Sequence, residues 1–218
     1  MKLPRLTSSD VLVAWIVVLY VVLLVLLPFI LSRPGFDWAF SESGPFERLS
    51  IVAWLLIPVI IFWRIRPLGM RAGAFALLGI LFAAREAEWH KAFTADSILK
   101  TNYYRHAAAP FEEKLIAGMV AVLVIALLLY IGFVVARFLL QGGWRSRSGL
   151  WLIIGTLLVV AGKVLDRAPA VLLEDFGLAL PQLTQLYATA FEEGLELIHP
   201  LILGWSVWIS QTERRYLS

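Results

Sequence analysis

The sequence contains no cysteine and carries little charge. Without cysteine the chain cannot form disulfides, thiolate metal sites or a cysteine nucleophile. Only 16% of the residues are charged, whereas a soluble domain carries roughly 25%. Motifs such as Walker A, Gly-x-Ser-x-Gly and His-Glu-x-x-His are also absent. Nucleotide-driven chemistry and the common hydrolase mechanisms are therefore unsupported.

Long apolar stretches dominate what is present. Hydrophobic residues make up 60% of the chain, and the mean hydropathy is +0.81. A spanning helix needs roughly 20 mostly apolar residues, and a backbone exposed to lipid must satisfy its own hydrogen bonds, which favours helices. The sequence therefore predicts an all-α, multi-pass transmembrane helical bundle. It would form a single integral membrane domain over residues 1–218, with about six spanning helices at approximately 11–31, 47–63, 72–90, 114–136, 149–166 and 190–210.

The distribution of charge indicates an orientation. With both termini inside, ten of the 19 Lys and Arg residues fall in short inner segments, and every acid except Asp10 and Glu213 falls on the outer half. Because Lys and Arg concentrate on the cytoplasmic side, an N-in, C-in topology is favoured. The basic residues lie between apolar runs and not in one patch, so we expect membrane lipids and no nucleic acid as partners. The compact chain, without a targeting segment, suggests a bacterial inner membrane.

A short motif recurs at the start of the second, fourth and sixth runs. Its copies are Pro45-Phe46-Glu47, Pro110-Phe111-Glu112 and Ala190-Phe191-Glu192. The third run ends with Arg85 and Glu88, and the fifth with Lys163 and Asp166, both basic-x-x-acidic pairs. The chain thus reads as three helical hairpins, and such repeats often build transport folds with the site at the repeat interface. The apolar stretch 168–180 predicts a short interfacial helix in the last outer loop.

These charged residues also have a purely structural interpretation. A carboxylate in the first turn can cap free amides and favours the positive helix end, which would account for Glu47, Glu112 and Glu192. Thr189-x-x-Glu192 is itself a capping-box match. The basic-x-x-acidic pairs share a helix face, on which oppositely charged side chains can pair.

Carboxylate and imidazole groups deeper in the runs need another explanation. Glu192, Glu196 and His199 share one helix face, with Glu193 adjacent, and Glu86 and His90 share another. Both groups start at the outer end of their runs, so they should lie at similar depth. A charged carboxylate in hydrocarbon costs about 2.5–3.5 kcal/mol, so a cation, metal, proton or polar cavity must offset it. Carboxylate and imidazole together suit zinc, iron or manganese, and Glu196-x-x-His199 has the spacing of helical di-iron sites.

The first functional hypothesis is therefore a metal-dependent membrane enzyme that acts on a lipid or lipid-soluble molecule. A divalent metal (Fe, Zn or Mn) would be held by residues from Glu86, His90, Glu193, Glu196, His199, Glu47 and Glu192. The candidate catalytic residues are Lys163, Asp166 and Arg85. One alternative is an ion- or proton-coupled transporter. Another is a non-catalytic subunit or scaffold, in which Arg85, Lys163 and Arg167 neutralise the carboxylates without metal.

Overall fold

The fold is a bundle of helices. A computed structural model describes residues 4, 6–89, 94, 98, 101–107 and 109–217. Within this part of the chain the elements are α-helices, joined at one point by a short 3₁₀ helix, Gly143–Arg145, and no strand is present. The α-helices are α1 (Ser8–Ile30), α2 (Arg33–Ala39), α3 (Pro45–Arg64), α4 (Met70–Glu86), α5 (Thr101–His106), α6 (Phe111–Leu140), α7 (Arg147–Phe176) and α8 (Gln182–Leu217). The predicted all-α class is confirmed.

Several helices have the length and composition of membrane spans. Among the described residues four are long and apolar enough to cross a bilayer, namely α1, α3, α6 and α7. The third and sixth predicted runs also form helices, α4 and α8, but these are not among the four. A membrane-embedded protein with several apolar helices is therefore supported, whereas six spans are not confirmed.

The last two helices are longer than the apolar runs from which they were predicted. α7 continues past Asp166 to Phe176, and α8 begins at Gln182, eight residues before the predicted start at residue 190. The predicted outer loop 167–189, with its separate interfacial helix, is therefore wrong. The helices are joined by residues 177–181, and Gly177 caps α7 in the left-handed conformation that glycine adopts without strain. Hydropathy missed these extensions because polar residues interrupt their apolar ones: Arg167, Glu174 and Asp175 in α7, and Gln182, Thr184 and Gln185 in α8.

α8 lies at the centre of the bundle. It packs most extensively on α7 and α3 and also contacts α1, while α3 packs on α4. Small residues allow the close crossings, as in other membrane helices. A Cβ atom added to Gly155 of α7 would lie 2.7 Å from the Leu203 side chain of α8, and one added to Gly79 of α4 would lie 2.9 Å from Pro58 of α3. The predicted arrangement in three hairpins is not confirmed by these contacts.

A proline inside α8 is compensated by a side chain of α3. Pro200 lacks the N–H that would bond the carbonyl four residues earlier, which belongs to Glu196. The Ser50 hydroxyl donates a hydrogen bond of 3.0 Å to that carbonyl. Ser50 is almost completely buried, so this contact satisfies a polar group that water would otherwise have to reach. It also fixes the depth of Glu196 relative to α3.

A buried carboxylate near the start of α1 holds this helix against the rest of the bundle. Asp10 is fully buried, and its oxygens accept hydrogen bonds from Arg147 Nε (2.6 Å), Trp151 Nε1 (3.0 Å) and Trp205 Nε1 (3.4 Å). The backbone N–H of Thr7 donates to it as well, at 2.8 Å, within a capping box at the start of α1. One carboxylate thereby connects α1 with both α7 and α8.

Candidate functional site

Five predicted site residues form a connected set of ion pairs where α4, α7 and α8 meet. Lys163 Nζ lies 2.8 Å from Glu196 Oε1 and 3.4 Å from Asp166 Oδ2. Arg85 Nη1 lies 2.6 Å from Glu86 Oε1, and Arg85 Nη2 lies 3.9 Å from Glu196 Oε1. Glu196 therefore lies between two cations from different helices. We call Arg85, Glu86, Lys163, Asp166 and Glu196 the ion-pair cluster.

The acids of this cluster are more enclosed than its cations. Glu86 is 7% exposed and the Glu196 side chain 15% exposed, whereas the side chains of Arg85 and Lys163 are 46% and 43% exposed. Long basic side chains can cover apolar surface with their stems and still place their charge at an open boundary. The two cations thus contact the buried acids and also reach the surface of the bundle, where they are accessible to a molecule in the membrane or at its surface.

Two pairs of carboxyl groups contact each other. The carboxyl groups of Glu86 and Glu196 are close enough to interact directly, and so are those of Glu192 and Asp166. Two ionised carboxylates side by side repel each other, so a neighbouring cation or a shared proton must offset that repulsion. Arg85 and Lys163 supply two such cations next to Glu86 and Glu196. The cluster therefore holds paired carboxyl groups beside two fixed positive charges.

The interpretation as acids at helix starts holds for two of the three glutamates. Pro45 and Glu47 lie in the first turn of α3, as predicted. Glu112 lies in the first turn of α6, which begins at Phe111, so Pro110 is the residue before the helix and not its first residue. Glu192 lies in the interior of α8, ten residues past its start, and the predicted cap there is wrong.

The acids beside the cluster differ in how they are placed. Glu193 and Glu47 are half-buried and close enough for their charges to interact. Arg85 and Glu88 do not share a helix face as predicted, because α4 ends at Glu86 and Glu88 adopts a positive φ of 52° beyond it. Arg85 pairs with the adjacent Glu86. The pair of Lys163 with Asp166 is confirmed.

The two predicted histidine ligands have different outcomes. His199 is 5% exposed, and its Nδ1 lies 2.5 Å from the Leu195 carbonyl oxygen, so Nδ1 carries the proton and donates. Its ring also meets Trp54 edge-on, with 5.1 Å between ring centroids. These contacts fix the ring and leave Nε2 as its acceptor nitrogen. His90 lies outside the described residues.

The described geometry places the predicted metal ligands together only in part. Glu86, Glu193 and Glu196 are neighbours, but the oxygens of Glu86 and Glu196 are engaged by Arg85 and Lys163. In the part of the chain that the structure describes, no group of three or more His, Asp and Glu side chains is arranged so that it could hold a metal ion. A divalent metal with these ligands stays a prediction, since His90 belongs to the proposed set.

A cavity of about 710 Å³ lies between α4 and α6, next to the cluster. Its walls are mostly apolar, with Thr94 as a polar lining residue and Arg85 and Glu113 as the charged ones. Tyr103, fully buried in α5, donates a 2.6 Å hydrogen bond to Glu113. That bond, together with burial, raises the pKa of Tyr103 from 10.0 to about 12. Arg85 is therefore shared by the cavity and the cluster.

Sequence reasoning missed Trp54, Glu113, Tyr103 and Asp10 as elements of this architecture. A capping-box match, Thr7-x-x-Asp10, was present in the sequence and could have indicated the start of α1. The position of Ser50, one turn after Glu47, favours contact with a neighbouring helix, but its partner lies 146 residues away along the chain and is not marked in the sequence. Nothing in the sequence marks Tyr103, whose partner lies 10 residues away. Comparisons with protein families, with curated proteins and with solved structures find no match to this chain.

Proposed function

We propose that this chain is an integral membrane enzyme that acts on a lipid or another lipid-soluble molecule at the ion-pair cluster. The observation that carries the proposal is the pair of buried carboxyl groups, Glu86 and Glu196, held by ion pairs with Arg85 and Lys163 beside an apolar cavity. Apolar pockets with a few convergent polar groups are typical of sites for small molecules. A membrane enzyme can receive such a molecule directly from the lipid phase.

Each residue of the cluster has a role in this proposal. The pair of Glu86 and Glu196 exchanges a proton with the substrate as general acid or base. Lys163 and Arg85, both partly exposed, bind an anionic group of the substrate and hold the pair in place. Asp166 positions Lys163, to which it is 3.4 Å away. These roles need no group beyond the side chains described.

The metal-dependent form of the enzyme is a separate prediction. Fe, Zn or Mn would bind among Glu86, His90, Glu193, Glu196 and His199, with Glu47 and Glu192 nearby, and would polarise an ester or phosphoryl oxygen or activate water. The observation that supports it is the hydrogen bond from Nδ1 of His199 to the Leu195 carbonyl, because it leaves Nε2 as the acceptor nitrogen. In this form Lys163 would bind the substrate or orient a carboxylate.

The membrane arrangement belongs to the same proposal. We place all six predicted runs in the membrane as three hairpins, with both termini inside and the ion-pair cluster in the outer leaflet of a bacterial inner membrane. Support comes from the ends of the helices. The start of α1, the start of α7 and the last part of α8 meet at Asp10 and Arg147, and the cluster lies towards the other end of α7 and α8.

The enzymatic proposal is tested by incubating the purified full chain with vesicles of a total bacterial lipid extract and analysing the lipids by mass spectrometry. We expect one lipid class to be converted by wild type, with a rate reduced about 100-fold or more in Glu86→Gln and Glu196→Gln. Glu174→Gln is the matched control, because Glu174 is exposed near the end of α7, and it should retain the wild-type rate. The proposal is refuted if both cluster variants still convert the lipid, or if wild type converts no lipid.

The metal is tested by elemental analysis of the same preparations. We expect one or two Fe, Zn or Mn per chain in wild type, lost in Glu196→Ala and in His199→Ala and retained in Glu174→Gln. A metal-free wild type that still converts lipid would leave acid–base catalysis by the carboxyl pair and remove the metal. The two forms of the proposal therefore give different results.

A proton-coupled transporter is the second candidate, and the row of contacts from Glu192 through Asp166, Lys163 and Glu196 to Glu86 favours it. Such a protein needs a polar path to the other side of the membrane. Residues 197–204 of α8, between the cluster and Trp205, contain one titratable side chain, His199, and no Asp, Glu, Lys or Arg. We therefore prefer the enzyme. Proton uptake by vesicles that contain only this protein would reverse that preference.

A further inference from the structure

We infer that the cavity between α4 and α6 binds one long hydrocarbon chain of an anionic lipid-like molecule, whose charged head meets Arg85. The inference rests on the proposed function and names its class of substrate. The cavity and the ion-pair cluster are lined by different residues, except for Arg85, which belongs to both. Three properties of the cavity carry the inference: its shape, its opening and its single charged end.

The shape of the cavity suits a chain and not a compact molecule. On α6 the lining extends from Glu113 to Leu128, which at 1.5 Å per residue corresponds to about 22 Å along the helix axis. A bilayer leaflet contributes roughly half of a 30 Å hydrocarbon core. The cavity is thus somewhat longer than one leaflet is thick. Its volume of about 710 Å³ is within the range of ligand sites, roughly 300–1,000 Å³.

The opening of the cavity faces the surroundings of the bundle. Ile116 and Val120 of α6, which line it, are 59% and 42% exposed, whereas Ala117 between them is 5% exposed. In a membrane, side chains that are half-exposed on an apolar helix contact lipid. A hydrocarbon chain can therefore enter sideways from the bilayer without crossing water.

The charged end selects the head of the molecule. Of the two charged residues at this end, Glu113 accepts a hydrogen bond from the buried Tyr103, which engages its carboxyl group. Arg85 remains 46% exposed while it bonds Glu86. A guanidinium has several further donors for a carboxylate or phosphate. A chain in the cavity thus places an anionic head at Arg85, next to Glu86 and Glu196.

The test uses photoreactive probes in phosphatidylcholine vesicles that contain the full chain. The probes carry a diazirine in the hydrocarbon chain: a fatty acid, an isoprenyl phosphate and a fatty alcohol of matched length. We expect labelling of α4 and α6 residues that line the cavity, with the fatty acid or the isoprenyl phosphate preferred over the alcohol. The better of the two anionic probes distinguishes an acyl from an isoprenoid chain.

Substitutions that fill the cavity give the critical comparison. Val120→Trp should lower labelling about tenfold, a change of about 1.4 kcal/mol, and Ala117→Phe should act in the same direction. Val122→Trp is the matched control, because Val122 lies on the outer face of the same helix and is 65% exposed. Arg85→Gln should abolish the preference for the anionic probes. Equal labelling in Val120→Trp and Val122→Trp, or labelling spread evenly over α1, would overturn the inference.

Failure of this inference can be told apart from failure of the proposed function. Labelling that is specific to the cavity in a protein that converts no lipid leaves a lipid-binding protein without catalysis. Lipid conversion that Glu196→Gln abolishes, combined with labelling that Val120→Trp does not affect, places the hydrocarbon chain elsewhere and keeps the enzyme.

Discussion

Asp10 is the residue that attaches α1 to the rest of the protein. Of the side chains of α1, only Asp10 and Leu24 are buried, and most of the helix is an apolar surface exposed to its surroundings. Near the middle of α1, the Tyr20 hydroxyl donates to the Gly194 carbonyl at 2.9 Å. Because the hydrophobic effect gives no driving force between helices in lipid, these polar contacts help to determine the position of α1.

We therefore predict that Asp10→Leu destabilises the protein strongly. The substitution leaves the Arg147 guanidinium, whose side chain is 16% exposed, without its carboxylate, and breaking such a pair costs about 3–5 kcal/mol. The measurement is chemical unfolding in mild detergent, followed by tryptophan fluorescence. The control is Asp37→Leu, because Asp37 pairs with Arg33 at more than half exposure and should cost about 1 kcal/mol or less. Equal losses in the two variants would contradict the role given to Asp10.

At the scale of single elements, α8 remains helical although it contains a proline. Pro200 lies in its interior, and the helix continues through it. The neighbouring carbonyls are engaged by side chains: Leu195 O by His199, and Glu196 O by Ser50. Proline thus frees a carbonyl in the turn that carries Glu196 and His199, and α3 supplies the donor. The side chains of the candidate site are held in place by this substitute bond.

The link between Ser50 and Pro200 can be measured by a double-mutant cycle. Ser50→Ala alone should cost about 1–3 kcal/mol, the penalty for a buried carbonyl left without a donor. In a Pro200→Ala background the restored backbone N–H satisfies the Glu196 carbonyl, so Ser50→Ala should cost less by about 1 kcal/mol or more. Unfolding of the four proteins in the same detergent gives the coupling. Additive effects would show that Ser50 does not replace the missing backbone bond.

At the scale of the whole molecule, polar groups are concentrated at two separate levels of the bundle. The first level contains Asp10 with Arg147 and two tryptophans, and the second contains the ion-pair cluster. Along α8 the residues Glu196 and Trp205, one from each level, are nine positions apart, or about 13 Å. The first level has a structural role in joining three helices, while the second has two half-exposed cations and an adjoining cavity.

The orientation of these levels in the membrane is tested by reporter fusions. A reporter fused after residue 100 should be active outside the cytoplasm, and one fused after residue 142 inside it, because the segments around residue 142 carry Arg137, Arg145 and Arg147. A pair of reporters, one active only outside and one only inside, provides the control at each position. The reverse pattern would place the ion-pair cluster in the inner leaflet and would require a substrate from that side.

Much of the helical arrangement was predictable because burial in lipid leaves a strong signal in composition. The apolar runs located α1, α3, α6 and the first part of α7 closely, and the helix-face spacing of Glu196 and His199 was correct. The end of α7 and the start of α8 were not predictable from hydropathy, because charged residues such as Glu174 and Asp175 occur in helices as readily as in loops. Helix ends depend on caps such as Gly177, which composition does not show.

The sequence by itself determined that this chain is helical, that several helices are apolar enough to cross a membrane, and that Glu192, Glu196 and His199 share one helix, because hydrophobicity and helical spacing are local properties. Only the tertiary structure decided the partners of those groups. Glu196 meets Lys163 and Arg85 across helix boundaries, Glu86 meets Glu196, and a cavity opens beside Arg85. The physical reason is that a buried charge is stabilised by whichever opposite charge comes close in space, and closeness in space between helices is not written in the spacing along one of them.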